Sequence, residues 1–241
     1  MNNNFYNLIK DYGTNNPQLV WSKVKTLDEL FYCNKEFIKD NLNESFYHYG
    51  SLALDSKPLI KNLLNLHDKG VFTYDGQGSL VSYDDWIENE WIDEKGNKCG
   101  KWYISIEQKP YLDCYLKKEY MNDLIKYFEL INTKNPKDKI NYIIRSKNIK
   151  KTNIEDEGCN LTRTKKYKNL SEKDKSEWLN YTNHWIDYNF EECNLLLLIK
   201  DKYKEIYDIF YNDYISLGLI ATKYGSNIII EKVLLDFFNT E

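Results

Sequence analysis

Alanine and arginine are nearly missing from this chain: Ala53, Ala221, Arg145 and Arg163 are the only residues of their kinds among 241. Long apolar runs are missing too. The longest, Leu195 to Ile199, falls far short of the roughly 20 residues that span a bilayer, so no membrane association is expected. The opening MNNNFYNLIKDYG lacks the basic-then-apolar pattern of a secretory signal. Cysteine is sparse and odd in number. Cys33, Cys99, Cys114, Cys159 and Cys193 include no Cys-x-x-Cys pair, which argues for free thiols in a reducing compartment over a disulfide framework or a zinc cage. A soluble, cytoplasmic protein is the expectation.

The familiar chemical signatures are absent as well. The sequence holds no Gly-rich phosphate loop followed by Lys-Ser/Thr, no Gly-x-Gly-x-x-Gly, no Gly-x-Ser-x-Gly and no His-Glu-x-x-His. That removes the recognisable NTPases, Rossmann enzymes, serine hydrolases and zincins, and no metal or cofactor is expected. A net charge of −4 and a pI near 5.6 give no global field that would favour nucleic acid.

What is there is aromatic and globular. Hydrophobic residues make up 42% of the chain and aromatics 15%, with 21 tyrosines, so wholesale disorder is excluded. The length suits one large domain or two small ones, and neither a repeat nor a linker divides it. The expectation is a single α+β domain over 1–241, with interspersed helices and short, largely antiparallel strands. The richness in Asn, Lys, Ile and Tyr is similar to that of proteins from AT-rich genomes, including large DNA viruses of protists. It implies a virus-encoded protein working in host cytoplasm.

The clearest local structure lies in PLIKNLLNLHDKGVFTYDGQG, from Pro58 to Gly78. Ser56 is placed to cap a helix, with Pro58 in its first turn. Leu59, Leu63 and Leu66 recur at helical spacing with Ile60 and Leu64 beside them. Gly70 suits a left-handed C-terminal cap. Val71 to Tyr74 are strand formers, and Gly76 with Gly78 ends the strand around Gln77. An answering strand is expected at Tyr111–Leu116, after Gln108.

Elsewhere, Phe5, Leu8 and Ile9 predict a first helix ending before Gly13, and Asn15 to Pro17 a loop. Thr26 and Glu29 form a capping box for a helix carrying Leu27, Leu30, Phe31, Phe37 and Ile38. The segment between Trp91 and Trp102 reads as a hairpin. Met121–Ile131 predicts a helix and Ile140–Arg145 a strand. Residues 146–170 read as a long basic loop, expected to be mobile. Ser171 is placed to cap a helix bearing Trp178 and Trp185. Leu195–Ile199 is a buried strand or a buried helix segment; periodicity does not decide. Tyr203–Leu217 predicts a helix stopped by Gly218, and Ser226 caps a last one through Phe237.

Trp21, Thr26-Leu27, Leu30, Tyr49-Gly50, Pro58-Leu59-Ile60, Leu63, Leu66, Gly70, Thr73, Gln77-Gly78, Gln108 and Tyr111 follow one order and spacing. That pattern resembles an uncharacterised domain family with a Gly-x-x-Thr…Ser-Gln-Pro-Gly turn and a later Gln-Arg segment. Here Gly76 replaces the serine and Lys109 the arginine. The resemblance covers about two-fifths of the chain and implies a shared fold without a known activity.

Three functional classes remain open. A non-catalytic interaction protein fits the missing catalytic motifs and the abundant tyrosine, which suits contact surfaces with a protein partner. A nucleotide, mRNA-cap or RNA-binding module would use Trp91, Asp93, Glu94, Lys98, Lys101 and Trp102. This segment resembles the one with which eukaryotic cap-binding initiation factors grip a methylated guanine by stacking and a carboxylate. Ile92 stands where that family has its base-reading Glu; Lys165 and Lys166 of the basic stretch would add phosphate contacts. An enzyme would use His48, Asp75, Gln77, Gln108 and Tyr111, provided they converge on one pocket. Each of His48, His67 and His184 also has an ordinary structural reading. The acidic run Asp84, Asp85, Glu88, Glu90, Asp93 and Glu94 is of the type that binds a hard cation or forms a solvated face. Asp75 is either a strand-end carboxylate with a shifted pKa or a turn-forming Asp.

Overall fold

The computed structural model describes residues 3–47, 56–77, 80–87, 91–92, 98–99, 102–154, 162–168, 194–223 and 226–240. Helix α1 (Asn3–Tyr12) is followed by α2 (Pro17–Trp21), where Asn15 to Pro17 was expected to be loop throughout. The Asn16 side chain accepts a hydrogen bond from the Leu19 N–H, and Pro17 takes the first helical position, so the apparent breaker is a start signal. Helix α3 (Leu27–Ile38) begins with the predicted capping box, Thr26 and Glu29 each accepting from the other's backbone N–H. A 3₁₀ turn at Lys57–Leu59 leads into α4 (Ile60–Asp68). Ser56 makes no side-chain cap there, because the 3₁₀ turn takes the place of the first α-helical turn. Gly70 then adopts the expected left-handed conformation at φ 79°.

Strand β1 (Phe72–Gln77) ends at Gln77, where the flanking glycines were expected to end it, and Tyr74 is the extra residue of a bulge between Thr73 and Asp75. Next come β2 (Leu80–Ile87), β3 (Trp91–Ile92), β4 (Lys98–Cys99), β5 (Trp102–Gln108) and β6 (Tyr111–Lys117). In these ladders Phe72 opposes Tyr115, Gln77 opposes Tyr111, Leu80 opposes Gln108, Ile87 opposes Trp102 and Trp91 opposes Cys99. The three ladders are nested in sequence and belong to three sheets: β1 and β6 to the main sheet, β2 and β5 to a three-stranded sheet, and β3 and β4 to a two-stranded one. The answering strand predicted for the Gly70–Gly78 segment is β6.

Helix α5 (Met121–Lys134) buries Leu124 and Phe128 and returns the chain to β7 (Ile140–Ser146). Two strands lie within the stretch read as a basic loop: β8 (Ile149–Thr152), paired with β7, and β9 (Thr162–Lys168), paired with β5. Lysine-rich sequence conceals strand propensity when the ladder is satisfied by a partner from elsewhere in the chain. The chain ends with α6 (Asn194–Lys202), α7 (Lys204–Asp213), β10 (Tyr214–Ala221) and α8 (Ile230–Asn239). Helix α6 resolves the ambiguity at Leu195–Ile199. The predicted helix over Tyr203–Leu217 forms as α7 over Lys204–Asp213, but Tyr214–Leu217 belong to strand β10, whose eight residues are all buried and in which Gly218 sits mid-strand. Ser226 does not cap α8; its hydroxyl donates to Asp138 and accepts from the Ile228 N–H. The helix expected after Ser171 lies outside the described residues.

The fold class is α+β. The main sheet has the order β1-β6-β10-β7-β8 and every neighbouring pair is antiparallel. One face carries Leu112, Cys114, Leu116, Leu217 and Leu219 against α4, α5 and α8. The other carries Phe72, Tyr115 and Tyr214 against α1, α2, α3, α6 and α7. Alternation along β6 explains the division: even-numbered residues face one core, odd-numbered residues the other. Asp113 falls on the odd face, so the sheet carries a buried acid by register.

Candidate functional site

Among the described residues the polar side chains gather at the edge strand β1. His67 lies on the last turn of α4, and its ring is buried and neutral. Its Nε2 lies 3.1 Å from Asn34 Nδ2, 3.1 Å from Thr73 Oγ1 and 3.3 Å from the Thr73 N–H. Two of these groups are obligate donors, which places the ring proton on Nδ1. Burial, then the Lys35 charge, lowers the pKa to about 3. Asn34 also donates to the Thr73 carbonyl at 2.7 Å and accepts from the Tyr47 hydroxyl at 2.6 Å. This network fixes Thr73 and Tyr47 at the head of the bulge.

The bulge presents Asp75. Its Oδ1 accepts from the Gly76 N–H at 2.8 Å and from the Tyr111 hydroxyl at 3.0 Å. Asp75 and Tyr111 are thus brought together, and Gln77 is the register partner of Tyr111. Gln108 opposes Leu80 in the separate β2–β5 ladder. His48 lies outside the described residues. Across from Asp75 in register, Asp113 is held well above the usual carboxyl range by burial first and by the Asp75 charge second, with Arg145 pulling the other way.

A cavity of about 110 Å³ opens beside β1. Tyr47, Ser56, Thr73, Asp75 and Glu231 supply its polar lining; Phe37, Ile38, Leu59 and Leu63 supply an apolar wall. Glu231 belongs to the first turn of α8 and is only 2% exposed. Its Oε1 has no hydrogen-bond partner among the described residues. Burial raises its carboxyl to about 7, outweighing the hydrogen bond from its own backbone N–H that acts the other way. Asp75, by contrast, is exposed. The cavity therefore runs from a solvated carboxylate to a buried one.

A larger hollow of about 670 Å³ lies on the other side of α3, between Phe5, Tyr32, Lys35, Lys39, Asp68 and Tyr214. Its charges are mixed, and Lys35 and Asp68 form an ion pair.

Other expected site residues fall elsewhere. Trp91 and Trp102 stand on β3 and β5, and Lys98 on β4 opposes Ile92. Lys165 and Lys166 belong to strand β9, not to a loop: Lys166 opposes Ser105, and Lys165 is the extra residue of a bulge. Asp93, Glu94 and Lys101 lie outside the described residues. Cys33 and Cys114 are buried free thiols whose pKa values burial pushes up, so neither is an activated nucleophile. No group of three or more His, Cys, Asp or Glu among the described residues is arranged to hold a metal ion, and no described helix is long and apolar enough to cross a membrane.

Sequence reasoning missed Glu231, Asp113 and Asn34. For Glu231 the signal was present: it precedes Leu234, Leu235 and Phe238 at helical spacing, a charge within an apolar stripe. Neither a protein-family model nor a curated protein matches this chain.

Proposed function

We propose that this chain is a non-catalytic binding protein whose recognition centre is the cavity at the β1 edge. The observation that carries this reading is Glu231, a buried carboxyl whose Oε1 has no hydrogen-bond partner among the described residues and which lines the cavity. A buried carboxyl oxygen left unpartnered is costly to the fold, and a ligand that donates to it would offset that cost. The Asn34–His67–Thr73–Tyr47 network supports the same reading, since it holds one wall rigid before any ligand arrives. The Asn-, Lys-, Ile- and Tyr-rich composition and the resemblance to an uncharacterised family support a virus-encoded protein that acts on a protein partner in host cytoplasm.

The test compares wild type with the isosteric variants Asp75→Asn and Glu231→Gln in quantitative capture from extract of the native or infected cell. The reading expects a defined protein retained by wild type and lost from both variants, with all three folded. Equal capture by all three overturns it. Salt-dependent RNA binding that disappears in Trp91→Ala and Trp102→Ala would replace it with the nucleic-acid module.

A further inference from the structure

The ligand class follows from the cavity's own chemistry, granted the binding reading above. We infer that the cavity takes an alkylammonium group, of the kind that ends a lysine side chain, with its nitrogen against Glu231 and its methylenes along the apolar wall. Size comes first. A volume of about 110 Å³ is well above the roughly 10–15 Å³ that holds a single water, so the cavity has room for a small organic group.

Polarity comes second. Asp75 and Glu231 are acceptors when ionised, and both line the same space. The Tyr47 hydroxyl spends its proton on Asn34, so its remaining capacity toward the cavity is as an acceptor. An ammonium brings three N–H donors and no acceptor, which matches such a lining. An anion would face the Asp75 and Glu231 carboxyls in the same space.

The apolar wall decides between an organic cation and a metal ion. Leu59 and Leu63 offer a metal nothing, and a hard cation needs about six oxygen ligands. Those residues do offer contact to a methylene stem, in the way long cationic side chains lay their stems on apolar surface and place the charge on polar groups. The exposed position of Asp75 and the burial of Glu231 set the direction, with the charge entering past the first and resting on the second.

The experiment uses n-butylammonium chloride, with n-butanol and sodium butyrate as neutral and anionic matches of the same length. Binding is read by protein NMR shifts and by thermal shift. Saturable binding of butylammonium alone is expected, weakened at least tenfold in Glu231→Gln and in Asp75→Asn while both variants keep wild-type circular dichroism. A lysine-containing peptide that binds more tightly, and fails once its lysine is acetylated, identifies a protein side chain as the source. Tighter binding of spermidine instead identifies a free polyamine. Binding of butanol or butyrate in preference to butylammonium, or of magnesium or propylguanidinium, overturns the ligand class but leaves the cavity as a binding site. Silence from every probe, together with unchanged partner capture by both variants, overturns the ligand class and the binding reading together.

Discussion

At the scale of single residues, two buried titratable groups act on stability in opposite directions. Glu231 has its folded pKa raised from the usual 4.5 to about 7. The folded state therefore holds a proton that the unfolded state has released, and the stability this contributes is full below about pH 4.5 and lost as pH rises through 7. His67 is depressed from 6.5 to about 3. Its contribution is full above about pH 6.5 and lost as pH falls toward 3. Glu231→Gln removes the first dependence, so the variant should gain on wild type as pH rises from 5 to 8. The gain is on the order of 3 kcal/mol, at about 1.4 kcal/mol per pKa unit. Urea melts across that range check it; parallel curves would show that Glu231 is not held neutral. Asn34→Ala leaves the Thr73 carbonyl, His67 Nε2 and the Tyr47 hydroxyl short of a partner. A loss of about 2–3 kcal/mol is expected. A change below 0.5 kcal/mol in the same melts would mean that the network is not formed.

Elements depend on a few positions where the backbone, not the side chain, sets the demand. Gly70 links α4 to β1 at φ 79°, and a Cβ there would meet nothing within 4 Å. The cost of Gly70→Ala is thus conformational alone, about 1–2 kcal/mol for a left-handed alanine, and Gly70→Asn should recover part of it. If the alanine variant melts with wild type, the linker does not adopt this turn. Gly76 is constrained differently: a Cβ would lie 3.2 Å from Leu112 Cδ1 and 3.3 Å from the Tyr111 carbonyl oxygen. Alanine there presses β1 against β6 beside the Asp75–Tyr111 hydrogen bond. Thr26→Ala removes one half of the α3 capping box and should cost about 1 kcal/mol.

For the whole molecule, β10 is the central structural element. It hydrogen-bonds β6 on one side and β7 on the other, and it is buried along its whole length. Amides from Ile215 to Ile220 should exchange with solvent only by global unfolding and be the slowest in the chain. Faster exchange there than in β1 would contradict the strand order. Strands β2 to β5 are the opposite case, because they pair outside the main sheet. Replacing residues 78–110 by an Asn-Gly turn joins β1 directly to β6 in their existing register. That variant should unfold cooperatively and retain the cavity, as judged by butylammonium binding.

Local physics alone determined much of this protein. The capping box at Thr26, the left-handed Gly70, the apolar stripe of α4 and the alternation of β6 and β7 are all encoded within a few residues of where they act. Asp75 was legible as a carboxylate at a strand end, and Tyr111 as part of the answering strand. Tertiary structure decided the rest, because the deciding partners are remote in sequence. The helix expected over Tyr203–Leu217 holds only to Asp213, because from Tyr214 onward ladders to β6 and β7 on both sides make the chain a strand. The basic stretch yields β8 and β9 for the same reason. Glu231 shares a cavity with Asp75 because α8 packs against α4, β6 and β10, although the two residues are more than 150 apart in sequence. A sequence states what each segment can form. Burial and pairing among distant segments select which form it takes, and here they assembled an acidic cavity that no single segment announces.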